Sequence, residues 1–530
     1  MVRFRHGRAS TATFHPLKAL QMTRIAKLLL VSTLLPLAAE AASAMSFTRY
    51  SSSDKDGFWV KSEQKTVAAE KPFQEISEPS LFFRMDAGDR AGSNAIVTFK
   101  GWGTCFNELG WDALMALPEE KRAELLKRIF SPDGDLKYTH GRIPLGANDY
   151  ARSWYSASEV PGDLELRHFD MSRDMAAIIP YIHAAQEYNP RLWFWCSPWS
   201  PPAWMKINQD YPVLSSRSNK MDSRIDYLLH MNPDIQSDDT KFPDLVASQD
   251  YMIMDPRYLK AYADYFCRYI EAFKLSGIPV RRVMYQNEAY SYPPYPGCPW
   301  TPKGAALFNA EYLAPALKEK HPDVELYLGT INTDRFEEVD GILSDRHVIG
   351  KDLFQGIGFQ WEGSRIIADV RQKFPFLKVV QTESECGDGR FDWRGALHTF
   401  AIINDYLGKG CEEYTFWNVI LCDEGKSSWG WKQNALIRVD SKEKTAEFTP
   451  EYYAVMHYSH FVTADTKLVN AINGRVGKVP AAVFITPEGK YVVVAANRDG
   501  KAEAMLSIKF GGERLDMLLP PGSMHTFVEN

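Results

Sequence analysis

The sequence has few cysteines and lacks the common metal and nucleotide motifs. Its 530 residues contain seven dispersed cysteines without a CxxC pair, which excludes a zinc ribbon, a thioredoxin motif and a dense disulfide framework but leaves one or two single disulfides open. No GxGxxG, Walker A, HExxH or GxSxG pattern occurs, so nucleotide-binding, zincin and α/β-hydrolase sites have no support. Aromatic residues are abundant: 14 Trp, 25 Tyr and 29 Phe exceed what a core needs, which indicates a binding role for some of them.

Residues 1–44 have the pattern of a cleavable export signal. Two basic residues precede an apolar run at 28–39 that is too short to span a bilayer, and the small residues Ala42-Ser43-Ala44 follow it. We therefore expect an exported protein, periplasmic or secreted, without stable membrane insertion. Removing these residues leaves a formal net charge of −11. Such an acidic protein is unsuited to nucleic acid and anionic membranes, which select clustered Lys and Arg.

Between residues 96 and 450, short apolar segments alternate with amphipathic helical patterns. The segments that the pattern predicts as strands are Ile96–Gly101, Tyr138–Pro144, Arg191–Ser197, Val280–Asn287, Val324–Thr330, Leu353–Gln360, Leu377–Thr382 and Glu413–Trp417. The clearest helix has Asp255 as N-cap, Pro256 as its first residue and Ser276-Gly277 at its end. Eight strands separated by helices predict a (β/α)8 TIM barrel. An open doubly wound sheet is the alternative, but no phosphate-binding loop supports it.

Both ends of the chain have β-type patterns. Short strands joined by turn-forming segments are predicted at 481–486, 491–496 and 505–510, and residues 45–95 lack helical periodicity. We predict that the two ends pair into one β-sandwich attached to the barrel. The predicted organisation is a signal peptide with upstream residues at 1–44, the first part of the sandwich at 45–95, the catalytic barrel at 96–450 and the rest of the sandwich at 451–530.

Two of the predicted barrel strands are followed by carboxylates. Asn287-Glu288 closes the fourth strand, and Glu383-Ser384-Glu385 closes the seventh. A single acid after a strand is more often a solvated loop residue or a helix cap. The C-terminal ends of barrel strands, however, surround one cavity, where two acids suit general acid and nucleophile roles on a glycosidic bond. Strand alternation predicts that Glu383 and Glu385 point the same way, so it does not separate them.

Longer motifs around these acids resemble glycoside hydrolase family 30. They are the segments Ser197-Pro198-Trp199-Ser200-Pro201-Pro202-Ala203-Trp204-Met205-Lys206, Gln381–Gly389 and Trp429–Asn434. The resemblance covers nearly the whole chain after residue 44, and the motifs look most like the subgroup that acts on β-1,6-glucan. It implies a retaining hydrolase that needs no metal or other cofactor for its chemistry.

Carried over position by position, the resemblance implies Glu288 as acid/base and Glu383 as nucleophile, about 5–5.5 Å apart. It implies that Asn287 bonds the substrate 2-hydroxyl and that Arg142 keeps the pKa of Glu383 low. The other substrate-binding residues that it implies are Asp149, Trp199, Gln360, Trp361, Trp417 and Asn434. Structural roles are the alternatives: a loop cap for Asn287, an ion pair for Arg142 with Asp149, and a loop acid for Glu385.

Three functions stay open at this point. The leading hypothesis is an exported retaining hydrolase of β-1,6-glucan; the alternatives are a β-glucosidase or glucosylceramidase-like enzyme on small β-glucosides, and an inactive carbohydrate-binding protein. Gln360 replaces the His of the glucosylceramidase branch, which favours a glucan. A predicted insertion at 207–256 over the barrel mouth decides between an open cleft and a closed pocket. We expect a monomer.

Overall fold

The computed structural model describes residues 44–69, 81–213, 250–291, 293, 295–430, 432–472 and 477–530. The predicted signal peptide, apart from its last residue, and most of the predicted insertion at 207–256 lie outside the described residues. All seven cysteines lie within them and are free thiols. In the part of the chain so described, no helix is long and apolar enough to cross a membrane.

A ring of eight parallel strands forms the barrel. The strands that precede it are β1 (Ser46–Ser53), β2 (Gly57–Lys65), β3 (Val67–Ala68), β4 (Leu81–Asp86) and β5 (Val97–Thr98). The barrel strands are β6 (Gly101–Cys105), β7 (His140–Pro144), β8 (Trp193–Ser197), β9 (Val280–Met284), β10 (Glu325–Ile331), β11 (Gly356–Gln360), β12 (Lys378–Glu383) and β13 (Glu413–Phe416). They pair in chain order from β6 to β12, and β13 pairs with β6. The Glu412 N–H, directly before β13, donates to the carbonyl of Val379 in β12 (2.8 Å). This bond links the two remaining neighbours and nearly closes the ring, which confirms the predicted barrel.

The first barrel strand differs from the prediction. The apolar pattern places it at Ile96–Gly101, but β6 begins at Gly101, and β5 within that segment pairs instead with a strand of the sandwich. A Cβ at Gly103, in the middle of β6, would lie 2.3 Å from the His140 ring, so this position needs glycine. The resulting sequence, Gly-Trp-Gly-Thr-Cys, lacks the apolar run on which the prediction depends.

The helices lie between the barrel strands and after them. They are α1 (Glu108–Met115), α2 (Glu119–Phe130), α3 (Ser172–Ala176), α4 (Ile178–Gln186), α5 (Pro256–Leu275), α6 (Pro302–Phe308), α7 (Ala314–Lys320), α8 (Phe336–Leu343), α9 (Ile367–Lys373), α10 (Trp393–Gly408) and α11 (Pro450–Ser459). Shorter helical turns are Ala203–Met205, Asn309–Leu313 and Trp361–Ile366. Helix α5 has the predicted ends: the Asp255 side chain accepts the Arg257 N–H, and Gly277 after its end has a φ of +75°.

Both ends of the chain contribute to a β-sandwich. The strands after β13 are β14 (Ile420–Cys422), β15 (Ile437–Asp440), β16 (Thr445–Phe448), β17 (Lys467–Ile472), β18 (Ala481–Ile485), β19 (Tyr491–Asn497), β20 (Ala504–Phe510), β21 (Glu513–Leu519) and β22 (Ser523–Glu529). One sheet has the order β2-β1-β22-β19-β18-β17-β5, and the other has the order β3-β21-β20-β4. Phe47, Met85, Val493 and Leu506 from the two sheets share one buried cluster, which confirms a sandwich built from both ends. The domain boundaries given above stay a prediction.

Candidate active site

Two carboxylates lie at the C-terminal ends of barrel strands, as the strand pattern predicts. Glu383 is the last residue of β12, Glu288 lies four residues beyond the end of β9, and both line one cavity. Glu288 and Trp361, which follows β11, have left-handed backbones with φ of +48° and +47°. Residues other than glycine adopt this conformation at a cost, and such strain is concentrated at functional sites. The fold therefore holds both side chains in fixed positions.

A buried arginine joins four of the strands at this site. Arg142 lies within β7 and has no exposed surface. Its Nη1 donates to Glu383 Oε2 (2.7 Å) and its Nη2 to Asn287 Oδ1 (2.6 Å). Its Nε and Nη2 both donate to Ser197 Oγ at the end of β8 (3.2 and 3.0 Å). The guanidinium thus fixes Glu383 and Asn287 in one network.

The environment of Glu383 opposes ionisation in spite of this arginine. Trp361 Nε1 donates to Glu383 Oε1 (3.0 Å), and Arg142 covers the other oxygen. Burial is the main influence and raises the pKa of Glu383, Arg142 lowers it, and the charge of Glu288 raises it again, to about 7. Arg142 therefore lowers the pKa of Glu383, as the resemblance implies, but burial of the carboxylate has a larger effect and the net pKa lies above its usual value.

Glu288 is held by neutral donors instead of a cation. Gln360 Nε2 donates to its Oε1 (3.1 Å) and also to Asn287 Oδ1 (3.2 Å). Its Oε2 accepts bonds from Ser291 Oγ and Tyr295 OH, each at 3.1 Å. The two carboxyl groups therefore have different partners, an arrangement that suits two different roles in one reaction.

Sequence reasoning missed Tyr295 and a lysine that holds its loop. Lys206 is fully buried, and its Nζ donates to the carbonyls of Tyr211 (2.6 Å), Gly297 (2.7 Å) and Pro212 (3.4 Å). Burial lowers the pKa of Lys206 to about 8. Because Gly297 lies two residues beyond Tyr295, this lysine ties the loop that contacts Glu288 to the rest of the mouth. The only signal in the sequence is its place at the end of the 197–206 motif.

The carboxylates open into a cavity of about 810 Å³ that is lined mainly by polar and charged residues. Asp149, Trp361 and Asn434, three of the predicted substrate-binding residues, line it. The Oδ1 atom of Asp149 is buried and has no hydrogen-bond partner among the described residues. Burial, with the charges of Glu383 and Glu288, raises its pKa well above the usual range. An unpartnered carboxyl oxygen in the wall suits a sugar hydroxyl as its partner.

Two of the predicted sugar-stacking residues lie deeper. Trp199 and Trp417 are each 1% exposed, and their ring centroids lie 5.4 Å apart. The Trp199 ring centroid lies 4.1 Å from Arg142 Cζ, a cation–π contact that positions the guanidinium. Both rings contact the Arg142 guanidinium, and a direct role of either ring in substrate binding stays a prediction.

Glu385 lies beyond the end of β12 and pairs with a histidine. Because β12 ends at Glu383, the alternation on which the prediction of a shared direction depends does not reach Glu385. Its Oε2 lies 2.8 Å from Nε2 of His398, a residue of α10, and both residues line the cavity. On the far side of the cavity mouth, Asn434 Oδ1 accepts the Gly389 N–H (2.9 Å) and so holds the loop after β12.

Comparison with known proteins gives the family. The glycosyl hydrolase family 30 TIM-barrel domain matches residues 99–250 and 253–462, and the family 30 β-sandwich domain matches residues 465–527. The chain belongs to glycosyl hydrolase family 30. This family 30 protein is therefore an O-glycosyl hydrolase, and its substrate is a carbohydrate.

Relatives of this family 30 protein have different named activities. The putative glucosylceramidase 1 of Caenorhabditis elegans is 25% identical over 435 residues, which cover 77% of this chain and 75% of the relative. The endo-1,6-β-D-glucanase BGN16.3 of Trichoderma harzianum is 21% identical over 440 residues, 81% of this chain and 83% of the relative. The solved structure of the endo-β1,6-glucanase BT3312 has a TM-score of 0.69 at 16% identity, over 91% of this chain and 99% of that chain. This last likeness is one of fold.

Proposed function

We propose that this protein is an exported, monomeric, retaining hydrolase that cleaves β-1,6-glucosidic bonds in glucan. One observation carries the mechanism: Glu288 and Glu383 face the same cavity from two strand ends and have different hydrogen-bond partners. Retaining glycosidases use such a pair, one carboxyl group as acid/base and the other as nucleophile. The alternative of an inactive binding protein is disfavoured because both groups are present.

In the first step Glu383 attacks the anomeric carbon of the bound glucose. The C–O bond to the leaving chain breaks as Glu288 transfers its proton to the departing oxygen. The guanidinium of Arg142 and the indole N–H of Trp361 hold the two oxygens of Glu383 in the attacking geometry. In the second step Glu288, now ionised, removes a proton from water, and the resulting hydroxide displaces Glu383 from the sugar.

Asn287 has a defined orientation for this reaction. Its Oδ1 accepts bonds from Arg142 Nη2 and Gln360 Nε2, and a third, at 3.3 Å, from Thr330 Oγ1. With the oxygen so occupied, the amide N–H groups are left to donate to the substrate 2-hydroxyl. A bond to that hydroxyl strengthens as positive charge develops at the neighbouring carbon in the transition state.

The lining of the cavity supports a glucan over a lipid-linked sugar. Beyond Trp361 and two tyrosines, the wall consists mainly of charged and amide side chains, among them Asp388, Arg390, Arg394 and Lys432. These charged and amide groups can pair with the hydroxyl groups of a sugar chain. Gln360, a neutral donor to Glu288, stands where the glucosylceramidase branch has His. Glucanases among the relatives agree with this choice.

Activity on small β-glucosides is the second candidate. It is favoured by the glucosylceramidase named among the relatives at 25% identity. The same catalytic pair serves both reactions, so the carboxylates do not decide between them. The decision depends on how much of the cavity a substrate fills.

A product profile tests the proposal. The protein without residues 1–44 is incubated with linear β-1,6-glucan and, separately, with an aryl β-glucoside, beside a Glu383→Gln control. We expect short β-1,6-linked oligomers, absent in the control, with the β-configuration in fresh product by NMR. Glucose from the aryl glucoside alone would move the protein to the second candidate, and an inverted product would contradict the mechanism.

A further inference from the structure

We propose that the cavity contains a second sugar-binding subsite, formed by Glu385 and His398 of the barrel together with Arg498 of the sandwich. Its ligand is a hydroxyl-bearing glucose unit of the same chain as the glucose that reacts. The identity of that sugar rests on the function proposed above. The position of the subsite rests on side chains that line the cavity beside the catalytic pair.

The barrel contributes a hydrogen-bonded acid and imidazole to this subsite. Glu385 Oε2 and His398 Nε2 lie 2.8 Å apart, and the side chains keep 14% and 42% of their surface exposed. A carboxylate accepts bonds from sugar hydroxyls, and the second imidazole nitrogen of His398 is available to donate or accept. Neither residue contacts Glu288 or Glu383 in the hydrogen bonds described above. Their polar surface therefore serves something other than the reacting glucose.

The sandwich contributes Arg498, and its backbone is fixed. Arg498 follows β19, its N–H donates to the Lys478 carbonyl (2.8 Å), and its Nη1 donates to the Gly477 carbonyl (3.2 Å). Burial lowers the pKa of this guanidinium. Arg498 lines the same cavity as Glu288 and Glu383. A charged group from the second domain thus reaches the substrate space of the barrel.

A direct link joins this loop to the helix that carries His398. The Gly522 N–H donates to the carbonyl of Asp499, next to Arg498 (2.9 Å). Trp393 Nε1, at the first residue of α10, donates to the Gly522 carbonyl (2.8 Å). The loop and the helix therefore keep a fixed relation, and groups held on rigid elements bind with little ordering cost. The interface between the barrel and the sandwich thus forms part of the proposed subsite.

The experiment compares a long and a short substrate. Arg498→Met removes the guanidinium and keeps the length of the side chain. We expect kcat/KM on a linear β-1,6-linked glucotetraose to fall about tenfold, the scale of one lost bond to a charged group. On an aryl β-glucoside, which fills only the reacting subsite, we expect a change of less than about twofold. Lys501→Met is the matched control, because it removes an exposed cation of the same loop that does not line the cavity.

A second variant covers the case in which Arg498→Met fails to fold. Glu385→Gln keeps the shape of the side chain that the barrel contributes to the subsite and turns one hydrogen-bond acceptor into a donor. The ratio of kcat/KM on the tetraose to kcat/KM on the aryl glucoside should therefore fall, as for Arg498→Met. An unchanged ratio in a folded variant overturns the subsite, as does an equal loss on both substrates. If the wild type cleaves only β-linked tetrasaccharides of another linkage, the proposed β-1,6 linkage is wrong. The subsite is then tested by the same ratio of kcat/KM values, measured with the tetrasaccharide that is cleaved. Turnover of the aryl glucoside alone overturns both proposals.

Discussion

Two buried arginine–glutamate pairs lie at opposite ends of the barrel and behave differently. At the start of the strands, Arg282 of β9 meets Glu413 of β13, with Nη1 and Nη2 at 2.6 and 3.1 Å from the two carboxyl oxygens. At the C-terminal ends, Arg142 gives Glu383 one short bond and shares its other donors with Ser197 and Asn287. Arg282 lowers the pKa of Glu413 below its usual value, whereas the pKa of Glu383 is raised.

The difference comes from how much of the arginine each acid receives. Glu413 has a two-pronged partner, and the Arg282 guanidinium also lies against the Tyr327 ring, 3.9 Å from its centroid, in the barrel interior. Glu383 has a share of one guanidinium and a second acid, Glu288, that opposes its charge. In the first pair the charge of Glu413 is well compensated, whereas that of Glu383 is only partly compensated, which suits its proposed role as nucleophile. This agrees with the general division of TIM barrels into a stabilising and a catalytic face.

The largest expected effect is on activity at the catalytic end. Glu383→Gln removes the proposed nucleophile while keeping the shape of the side chain, so kcat on an aryl β-glucoside should fall by about 10⁴-fold or more. The folded state should persist, as judged by circular dichroism and a cooperative thermal transition. A variant with activity near wild type would show that Glu383 is not the nucleophile.

The largest expected effect on stability is at the other end. Glu413→Gln removes the close counter-charge of the buried Arg282 and leaves it only Glu325, 3.7 Å away and partly exposed. The change should cost about 3–5 kcal/mol of unfolding free energy. Urea unfolding measures this loss. Glu412→Gln, one residue earlier and partly exposed, is the control and should cost far less. If both variants are equally stable, the structural role of the Arg282–Glu413 pair is refuted.

A third buried cation sharpens the comparison, because the hydrogen-bond partners of Lys206 among the described residues are backbone carbonyls and include no carboxylate. If it acts by placing Tyr295 on Glu288, Lys206→Met and Tyr295→Phe should each lower kcat/KM about tenfold and shift its pH profile in the same direction. The double variant should then lose little more than either single one. Fully additive losses would mean that Lys206 does not work through Tyr295.

The sequence predicted more about the C-terminal face of the barrel than about the N-terminal face. At the C-terminal face, the strand pattern predicted that Glu288 and the segment Glu383-Ser384-Glu385 meet in one cavity, because strand ends converge by topology alone. The family resemblance was needed to choose Glu383 over Glu385 as the proposed nucleophile. Arg282 and Glu413 both lie within predicted strands, but their pairing crosses the barrel and depends on which strands are opposite in the closed ring. No local pattern carries that information.

Contacts made by loops were also beyond the sequence. Tyr295 reaches Glu288 from seven residues further along the chain, and His398 reaches Glu385 from the next helix, so only the folded loops bring these pairs together. The first barrel strand was misplaced for a related reason. Its glycines are required by side chains of the neighbouring strand, and a window of its own sequence shows only the missing apolar residues.

The smallest expected effect is on the melting temperature. Its dependence on pH should have opposite signs for the Glu383 and Glu413 carboxyl groups. The pKa of Glu383 is about 7 in the folded state and near 4.5 as its ordinary value, so between these limits the folded protein retains a proton that the unfolded chain has lost. Stability from this group is present below about pH 4.5 and falls as the pH rises towards 7. Glu413 has a lowered pKa, so its contribution is present above about pH 4.5 and is lost as the pH falls.

Melting temperatures of both Gln variants and the wild type from pH 4 to pH 8 test this. From pH 5 to pH 8, Glu383→Gln should gain roughly 2 °C or more on the wild type, since it no longer buries the charge. The deficit of Glu413→Gln should be full at pH 7 and shrink towards pH 4. Glu451, with its pKa near 7, is common to all three proteins and cancels in the differences. Asp149 does not cancel, because the charge of Glu383 raises its pKa, and its change in Glu383→Gln adds to the gain in the same direction. Parallel slopes for the two variants would contradict the distinction between a well compensated and a partly compensated carboxylate.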